Sequence, residues 1–273
     1  MIKNLREKID ICCICGEKKV MSFEHIPPES AFNKNRVNLY QGTDVLGRDK
    51  LPWDLKGIKY QQSQRGSGFE TVCQSCNNFA GYKYVRAYKF FVHEGIKQLY
   101  YRLNGYIETS NFINIKPLNI IKQIITMFLA INPPSVGERN YDLRSFVLNP
   151  EKKDFNTEKY GIYIYFLKGN ISKFIGISGL LRDNRTTVLS ELAYFPYGFI
   201  LEINPPEGYK EIYNVCNLAE LANHYNHNEI TSINLKIPIL ETHTIFPLDY
   251  RTKNEIISNR IEQSVRELLK NKF

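Results

Sequence analysis

The sequence has no apolar run long enough to cross a membrane. Its most apolar stretch, from Ile120 to Ile131, contains Lys122 and Gln123 and is shorter than the ~20 residues that a membrane-spanning helix needs. The segment from Met1 to Glu7 also lacks the apolar stretch of a secretory signal. We therefore expect a cytoplasmic protein without a membrane partner.

Cysteine, histidine and tryptophan are scarce, with six, five and one residues among 273. Six cysteines are too few for a disulfide scaffold of this length, and thiols in the cytoplasm are normally free or bound to metal. No internal repeat or low-complexity segment is present. Apolar residues make up 43% of the chain, and aromatic residues make up 13% of it. These values are typical of a folded protein rather than a disordered one.

Positive charge is concentrated in the first part of the chain. Residues 1–104 contain 17 Lys or Arg and 10 Asp or Glu, whereas residues 105–273 contain 19 and 18. Most of the net charge of +8 therefore lies in residues 1–104, as expected of a region that binds a polyanion such as nucleic acid. A basic surface exposed only to solvent is the alternative interpretation.

Four of the cysteines form two pairs with the spacing of a zinc site. Cys12 and Cys15 form one Cys-x2-Cys pair, and Cys73 and Cys76 form the other. Two such pairs can surround one tetrahedral Zn2+. Buried free thiols are the alternative, and Cys13 offers a poorer Cys-x-Cys15 spacing. Cys216 stands alone and is expected to pack in the interior.

An acid, an imidazole and amides accompany the cysteine pairs. The sequence Glu24-His25-Ile26-Pro27-Pro28 lies between the pairs, and Asn77-Asn78 directly follows Cys76. A histidine can act as a base near neutral pH, while carboxylate and amide oxygens suit Mg2+ or Mn2+. Such groups beside a structural zinc could form a single-metal nuclease site. Taken alone, His25 would be interpreted as an ordinary structural histidine.

In this order the motifs resemble the zinc-stapled subgroup of the HNH endonucleases, a branch of the ββα-metal nucleases. The resemblance covers about the first third of the chain. It implies a structural zinc on the four paired cysteines, His25 as general base, and Glu24 with Asn77 as ligands of a catalytic Mg2+ or Mn2+. Asn78 could replace Asn77. The middle asparagine of the family name has no obvious counterpart, and Ala80 stands where the family often has a basic residue.

The resemblance implies a metal-dependent endonuclease that hydrolyses phosphodiester bonds in DNA, of the kind found in phage defence and mobile elements. A non-catalytic zinc module that binds nucleic acid or protein is one alternative, and an RNase is another. Residues 33–68 are polar and contain five glycines, which predicts a long loop with little regular structure. Its basic residues are candidates for contacts to phosphates: Arg36, Arg48, Lys50, Lys56, Lys59 and Arg65. Trp53 and Tyr60 could stack on bases or attach the loop to the body.

The expected fold class is α+β, with an HNH-like ββα module in residues 1–104 and a mixed α+β region of unassigned fold in 105–273. We expect the second region to serve substrate recognition, sensing or dimerisation, and it could form a homodimer or bind a partner protein. Apolar periodicity predicts an amphipathic helix over 85–103, a buried helix over 118–131 and a last helix over 253–271. Alternation predicts strands over 160–168, 172–178, 186–194, 198–203 and 232–239, the first two joined as a hairpin by Gly169-Asn170.

Overall fold

The computed structural model describes residues 8–270, with the exception of 47, 49, 170, 183–184 and 206–214. The described chain is a mixed α+β structure, as the sequence predicts. Among these residues, no helix combines the length and the apolar character that a membrane crossing requires.

The first part of the chain combines short strands with one long helical stretch. Its elements are β1 (Ile9–Ile11), β2 (Lys18–His25), β3 (Val37–Tyr40), α1 (Gly42–Val45), β4 (Tyr60–Ser63), β5 (Gly68–Cys73), α2 (Gln74–Ala80) and α3 (Arg86–Leu103). Strands β1, β2 and β5 form an antiparallel sheet in that order. A π-helical turn, Gly81–Val85, joins α2 to α3. Strand β5, which pairs with β2, therefore leads directly into a long helical stretch.

The prediction of an irregular loop over residues 33–68 is wrong in part. Within this segment, β3 and β4 pair as a small antiparallel sheet with Val37 opposite Ser63 and Tyr40 opposite Tyr60. The two strands are only four residues long and far apart in the sequence. Pairing between such distant strands leaves no local periodic pattern, and the glycines between them favour a loop interpretation.

The second part is built around helices packed on one large sheet. Its elements are β6 (Ser110–Ile115), α4 (Pro117–Ile131), α5 (Pro134–Arg139), α6 (Tyr141–Leu148), β7 (Tyr160–Lys168), β8 (Lys173–Arg182), β9 (Arg185–Tyr194), β10 (Tyr197–Ile203), β11 (Cys216–Asn217), α7 (Leu221–His224), β12 (Thr231–Leu235), β13 (Ile239–Glu241) and α8 (Lys253–Lys270). The buried helix, the last helix and four of the five strands occur close to their predicted positions. The fifth predicted strand is divided between β12 and β13, which belong to different sheets.

The predicted hairpin between β7 and β8 is wrong. Strand β7 pairs with β10, β11 and β13, whereas β8 pairs with β9 at the edge of the sheet. In β7 every residue except the last is buried, and β10 is buried throughout. Two strands that are apolar on both faces gain most from lying side by side in the centre of a sheet. The half-buried β8 therefore occupies an edge.

Both parts of the chain contribute to one continuous apolar core. Helix α4 is buried over all but its last residue and packs against α3, α6, β5 and β8. The ring of Phe91 in α3 stacks on Tyr197 of β10, with centroids 4.8 Å apart. The hydroxyl of Tyr84 donates to the carbonyl of Val147 at 2.6 Å. The helix that follows the last cysteine pair is thus held by the second part of the chain.

Candidate metal centre and acid-histidine site

The four paired cysteines lie close together in space. Cys12 and Cys15 are in the turn after β1, Cys73 ends β5, and Cys76 lies in the first turn of α2. Their sulfur atoms all lie within 4.8 Å of one another, with 3.9 Å between Cys15 Sγ and Cys73 Sγ. Four sulfurs at ~2.3 Å from a tetrahedral Zn2+ would lie about 3.8 Å apart. This cluster could therefore hold a metal ion such as zinc.

The protonation chemistry of the cluster also fits a metal. A hydrogen bond with Cys76 lowers the pKa of Cys12 to about 4, and the same bond raises the pKa of Cys76. Burial raises the pKa of Cys15. Cys15 and Cys76 therefore favour the thiol form in a metal-free cluster, since several thiolates repel one another at this distance. A divalent cation removes that repulsion by taking the place of the protons.

Cys13 lies outside the metal cluster. Its thiol donates to the carbonyl of Asn132 at 3.2 Å, and burial raises its pKa to about 11. The Cys13 carbonyl accepts a hydrogen bond from Arg144 Nε at 3.1 Å. The first cysteine pair is thereby attached to the second part of the chain. Gly16 closes the turn with φ +77°, and a Cβ there would lie 2.7 Å from Arg144 Nη1.

His25 is the last residue of β2, and its ring is oriented by a backbone carbonyl. Its Nε2 lies 2.8 Å from the carbonyl oxygen of Arg65. Because a carbonyl oxygen only accepts hydrogen bonds, Nε2 carries the proton and the neutral ring has its lone pair on Nδ1. The ring of Phe23 packs edge-on against it at 5.0 Å. This orientation leaves His25 Nδ1 able to accept a proton.

Glu24 is a buried carboxylate, 8% exposed. It follows an irregularity in the pairing of β2 with β5, where the register shifts between Ser22 and Glu24. Among the described residues, no hydrogen-bond donor or cation is paired with its side chain. Burial raises its pKa from 4.5 to about 7. A carboxylate in such a place is stabilised either by a proton or by a bound cation.

Asn77 faces strand β2, whereas Asn78 does not. The Asn77 amide nitrogen donates to Ser22 Oγ at 3.1 Å and to the carbonyl of Phe23 at 3.3 Å. Both bonds use the nitrogen, so the side-chain oxygen is available as a ligand. Asn78 is exposed and accepts a hydrogen bond from Gln74 Nε2 at 2.8 Å. Of the two asparagines, Asn77 is therefore the one held next to the strand that ends in His25.

Sequence reasoning missed Asn33, a fully buried asparagine that ties together the segments on either side of His25. Its amide nitrogen donates to the carbonyls of Pro27 and Ser67 at 2.6 and 2.7 Å. Its oxygen accepts from the Ser67 backbone nitrogen at 2.8 Å. No spacing rule distinguishes this residue from the other asparagines of a polar segment. Only the fold identifies it as the residue that holds the chain around the histidine.

The six predicted phosphate-binding residues occupy different surroundings. Arg65 is exposed beside His25, with its guanidinium 4.0 Å from the centre of the Phe23 ring. Arg48 donates to the carbonyls of Lys56 and Asp54 within its own loop. Lys50 lies 3.8 Å from Asp54. The other members of the set are exposed: Arg36, Lys56 and Lys59. Arg65 is thus the member of the set that contacts the acid-histidine segment.

The aromatic residues of the same loop have separate roles. The ring of Trp53 lies edge-on to His243 at 5.9 Å, so it attaches the loop to the body. Tyr60 is 52% exposed and packs against Tyr40. Of the two, only Tyr60 presents much of its ring to solvent.

No protein-family model, curated protein or solved structure matches this chain. A function is therefore inferred from the geometry of the site.

Proposed function

We propose that this protein is a metal-dependent endonuclease of the HNH type, which hydrolyses phosphodiester bonds in DNA. The observation that carries the proposal is the hydrogen bond between His25 Nε2 and the carbonyl of Arg65, at 2.8 Å. It selects the tautomer in which Nδ1 is a base. The preceding residue of β2, Glu24, is a buried carboxylate without a partner among the described residues.

His25 would remove a proton from the attacking water. The hydroxide forms a bond to phosphorus while the bond to the 3′ oxygen breaks, and the leaving 3′ oxygen takes a proton from solvent water. The products are a 5′-phosphate and a 3′-hydroxyl, and His25 returns its proton to solvent. The carbonyl of Arg65 stabilises the protonated ring, because it accepts the Nε2 hydrogen throughout. The Arg65 guanidinium, which lies against the Phe23 ring, would neutralise a phosphate oxygen of the substrate.

Glu24 and the side-chain oxygen of Asn77 would hold a catalytic Mg2+ or Mn2+. Two protein oxygens are enough for such an ion, because Mg2+ usually keeps several waters and binds phosphate oxygens of the substrate. When bound, the ion would supply positive charge to the scissile phosphate and the leaving 3′ oxygen. The raised pKa of Glu24 supports this role, since a cation would replace the proton that burial favours.

A structural Zn2+ on Cys12, Cys15, Cys73 and Cys76 completes the proposal. The four sulfurs join the turn after β1 to the start of α2, and Asn77 directly follows the last of them. The zinc would therefore determine where Asn77 lies relative to β2. It would take no part in the reaction, since four thiolates leave no position for water or substrate.

A plasmid-nicking assay tests the proposal. We expect the protein to relax supercoiled plasmid in Mg2+ or Mn2+, and His25→Ala to lower the rate by about 100-fold or more, the usual contribution of a general base. His25→Ala should retain zinc, since the histidine is not a ligand. His224→Ala, which removes an exposed histidine far along the chain, is the matched control.

Three outcomes would contradict this proposal. Full cleavage by His25→Ala would exclude the histidine as base. Cleavage of single-stranded RNA but not of plasmid would identify an RNase. Zinc-loaded wild-type protein that binds DNA but cuts neither substrate would identify a non-catalytic module.

A further inference from the structure

A basic cleft lies between the loop segment of residues 33–68 and the last helix, α8. It has a volume of about 280 Å3, and its polar lining consists of Arg48, Lys50, Arg251, Asn259, Arg260 and Gln263. Apolar side chains such as Ile256 form the rest of the wall. Among the described residues of this lining, every polar side chain can donate hydrogen bonds and none is a carboxylate. The chemistry of the cleft therefore favours an anion.

The basic groups are held in position by neighbouring backbone and acids. Arg48 donates to the carbonyl of Lys56 at 3.2 Å, and Lys50 lies 3.8 Å from Asp54. Arg251 forms two bonds with Asp249, at 2.8 and 2.7 Å. Asp54 and Asp249, the acids that pair with Lys50 and Arg251, are not among the described residues that line the cleft. Groups that are ordered in advance lose less entropy when a ligand binds.

The two walls of the cleft are joined by contacts outside it. Lys253, at the start of α8, lies 5.3 Å from the centre of the Trp53 ring. The segment before α8 is held by a buried ion pair between Lys173 and Glu191 at 3.1 Å. Lys173 also donates to the carbonyl of Phe246, and Glu191 accepts from the backbone nitrogen of Leu248, both at 2.9 Å. The cleft is therefore a formed feature of the surface rather than a chance gap.

We infer that this cleft binds phosphate groups of the nucleic-acid backbone, which assigns α8 a direct part in substrate binding. The inference rests on the proposed nucleic-acid substrate. Guanidinium and ammonium groups are the usual donors to phosphate oxygens. The described part of the lining contains no aromatic ring on which a base could stack, so a backbone phosphate fits it better than a free nucleotide. The loop that supplies Arg48 and Lys50 also carries Arg65 beside His25.

Two substitutions of equal charge on α8 test the inference. Asn259→Glu places a carboxylate in the cleft, whereas Ser258→Glu places one on the opposite side of the same helix. Both positions are exposed, so both variants should fold. In full-length, zinc-loaded His25→Ala protein, we expect Asn259→Glu to weaken binding of a short labelled duplex about fivefold relative to Ser258→Glu, as for a like charge near a phosphate. Fluorescence anisotropy without added divalent ion measures this.

A second pair of variants gives an independent readout. Lys50→Gln should lower the slope of log affinity against log salt by about 1, as loss of one phosphate contact does. Lys236→Gln removes an exposed lysine outside the cleft and should leave the slope unchanged. Equal affinities for Asn259→Glu and Ser258→Glu, or an unchanged slope for Lys50→Gln, would overturn the inference.

Two further experiments separate the alternatives. Calorimetry with ATP tests whether the cleft is a nucleotide site. A cleavage assay tests the nuclease proposal separately from the cleft. ATP binding that Asn259→Glu abolishes, with duplex affinity intact, would overturn the nucleic-acid assignment. Absence of cleavage by the wild type, with duplex binding still sensitive to Asn259→Glu, would contradict the nuclease but support the cleft. If Asn259→Glu and Ser258→Glu reduce cleavage equally at a DNA concentration below saturation, the result contradicts the role of the cleft in DNA binding but leaves the nuclease proposal intact.

Discussion

At the scale of single residues, Glu24 has the most unusual surroundings of the candidate site. Its carboxyl group is buried in β2 and, within the described chain, is paired with no cation. The folded-state pKa of about 7 lies above the usual 4.5. Glu24 therefore favours folding while it is protonated, and this contribution is lost as the pH rises from 4.5 through 7. Above that range the buried charge destabilises the metal-free protein.

We predict that Glu24→Gln stabilises the protein at pH 8 without added Mg2+ by up to about 3 kcal/mol. The same substitution should have little effect near pH 4, where the wild-type carboxyl group is already neutral. Urea denaturation at the two pH values measures the difference. Glu29→Gln, at an exposed position, should be neutral at both. A Glu24→Gln variant that is less stable than wild type at pH 8 would show that the carboxylate has a partner in solution.

Asn33 contributes through hydrogen bonds to the backbone of Pro27 and Ser67. Substitution by alanine would leave the carbonyl of Pro27 and the backbone nitrogen of Ser67 buried without this partner. We predict a loss of roughly 3 kcal/mol in unfolding free energy, since each unsatisfied buried group costs ~1–3 kcal/mol. The nicking rate should also fall, because Ser67 accepts from the nitrogen of Ile26 next to His25. Asn35→Ala, at an exposed position in the same loop, is the control, and equal stability of the two variants would contradict the prediction.

At the scale of elements, the cysteine cluster joins segments that have little core of their own. Strand β1 is three residues long and exposed throughout, and α2 has only Cys76 and Ala80 buried. A metal ion held by both segments can supply stability that such short elements lack. In the pairing of β2 with β5, His25 lies opposite Gly68 at one end of the sheet.

We predict that purified protein contains one zinc ion, and that Cys73→Ser lowers both the zinc content and the thermal midpoint. Loss of a thiolate ligand weakens a four-sulfur site and loosens the turn after β1 from α2. Cys216→Ser removes a cysteine outside the cluster and should keep the zinc. Elemental analysis with thermal melting measures both effects. A well-folded wild-type sample without zinc would contradict the prediction.

At the scale of the whole molecule, the candidate site depends on the second part of the chain. Helix α3 is packed through Tyr88 and Phe91, which contact Phe199 and Tyr197 of β10. Arg144 and Asn132 hold Cys13, next to the first metal-binding cysteine. The segments that form the site are therefore supported by residues far away in the sequence.

We predict that a fragment of residues 1–104, even with zinc, does not unfold as a cooperative unit. Removal of 105–273 would expose the buried face of α3, including Tyr88 and Phe91, together with Tyr84 in the turn before it, and such a face needs a partner surface. Calorimetry and binding of a hydrophobic dye, with the full chain as control, test this. A sharp melting transition in the zinc-loaded fragment would show that residues 1–104 form an independent domain.

Elements with a local pattern can be predicted from the sequence. The apolar residues of 118–131 predict a buried helix, and alternation or apolar runs predict β7, β9 and β10. The spacing of Cys12, Cys15, Cys73 and Cys76 predicts a metal cluster, because ligand spacing within a turn is a local property. The motifs likewise indicate a site formed by Glu24, His25 and Asn77. The catalytic roles of these residues stay predictions.

The contacts between distant segments are visible only in the folded chain. Gly169-Asn170 predicts a β-hairpin, but the burial of both faces of β7 and β10 favours their pairing in the centre of the sheet. Asn33 became significant because the fold brings Pro27 and Ser67 within reach of its side chain. The basic cleft requires α8 to lie against Arg48 and Lys50. These features depend on contacts between residues far apart in the chain, which leave no periodic pattern in the sequence.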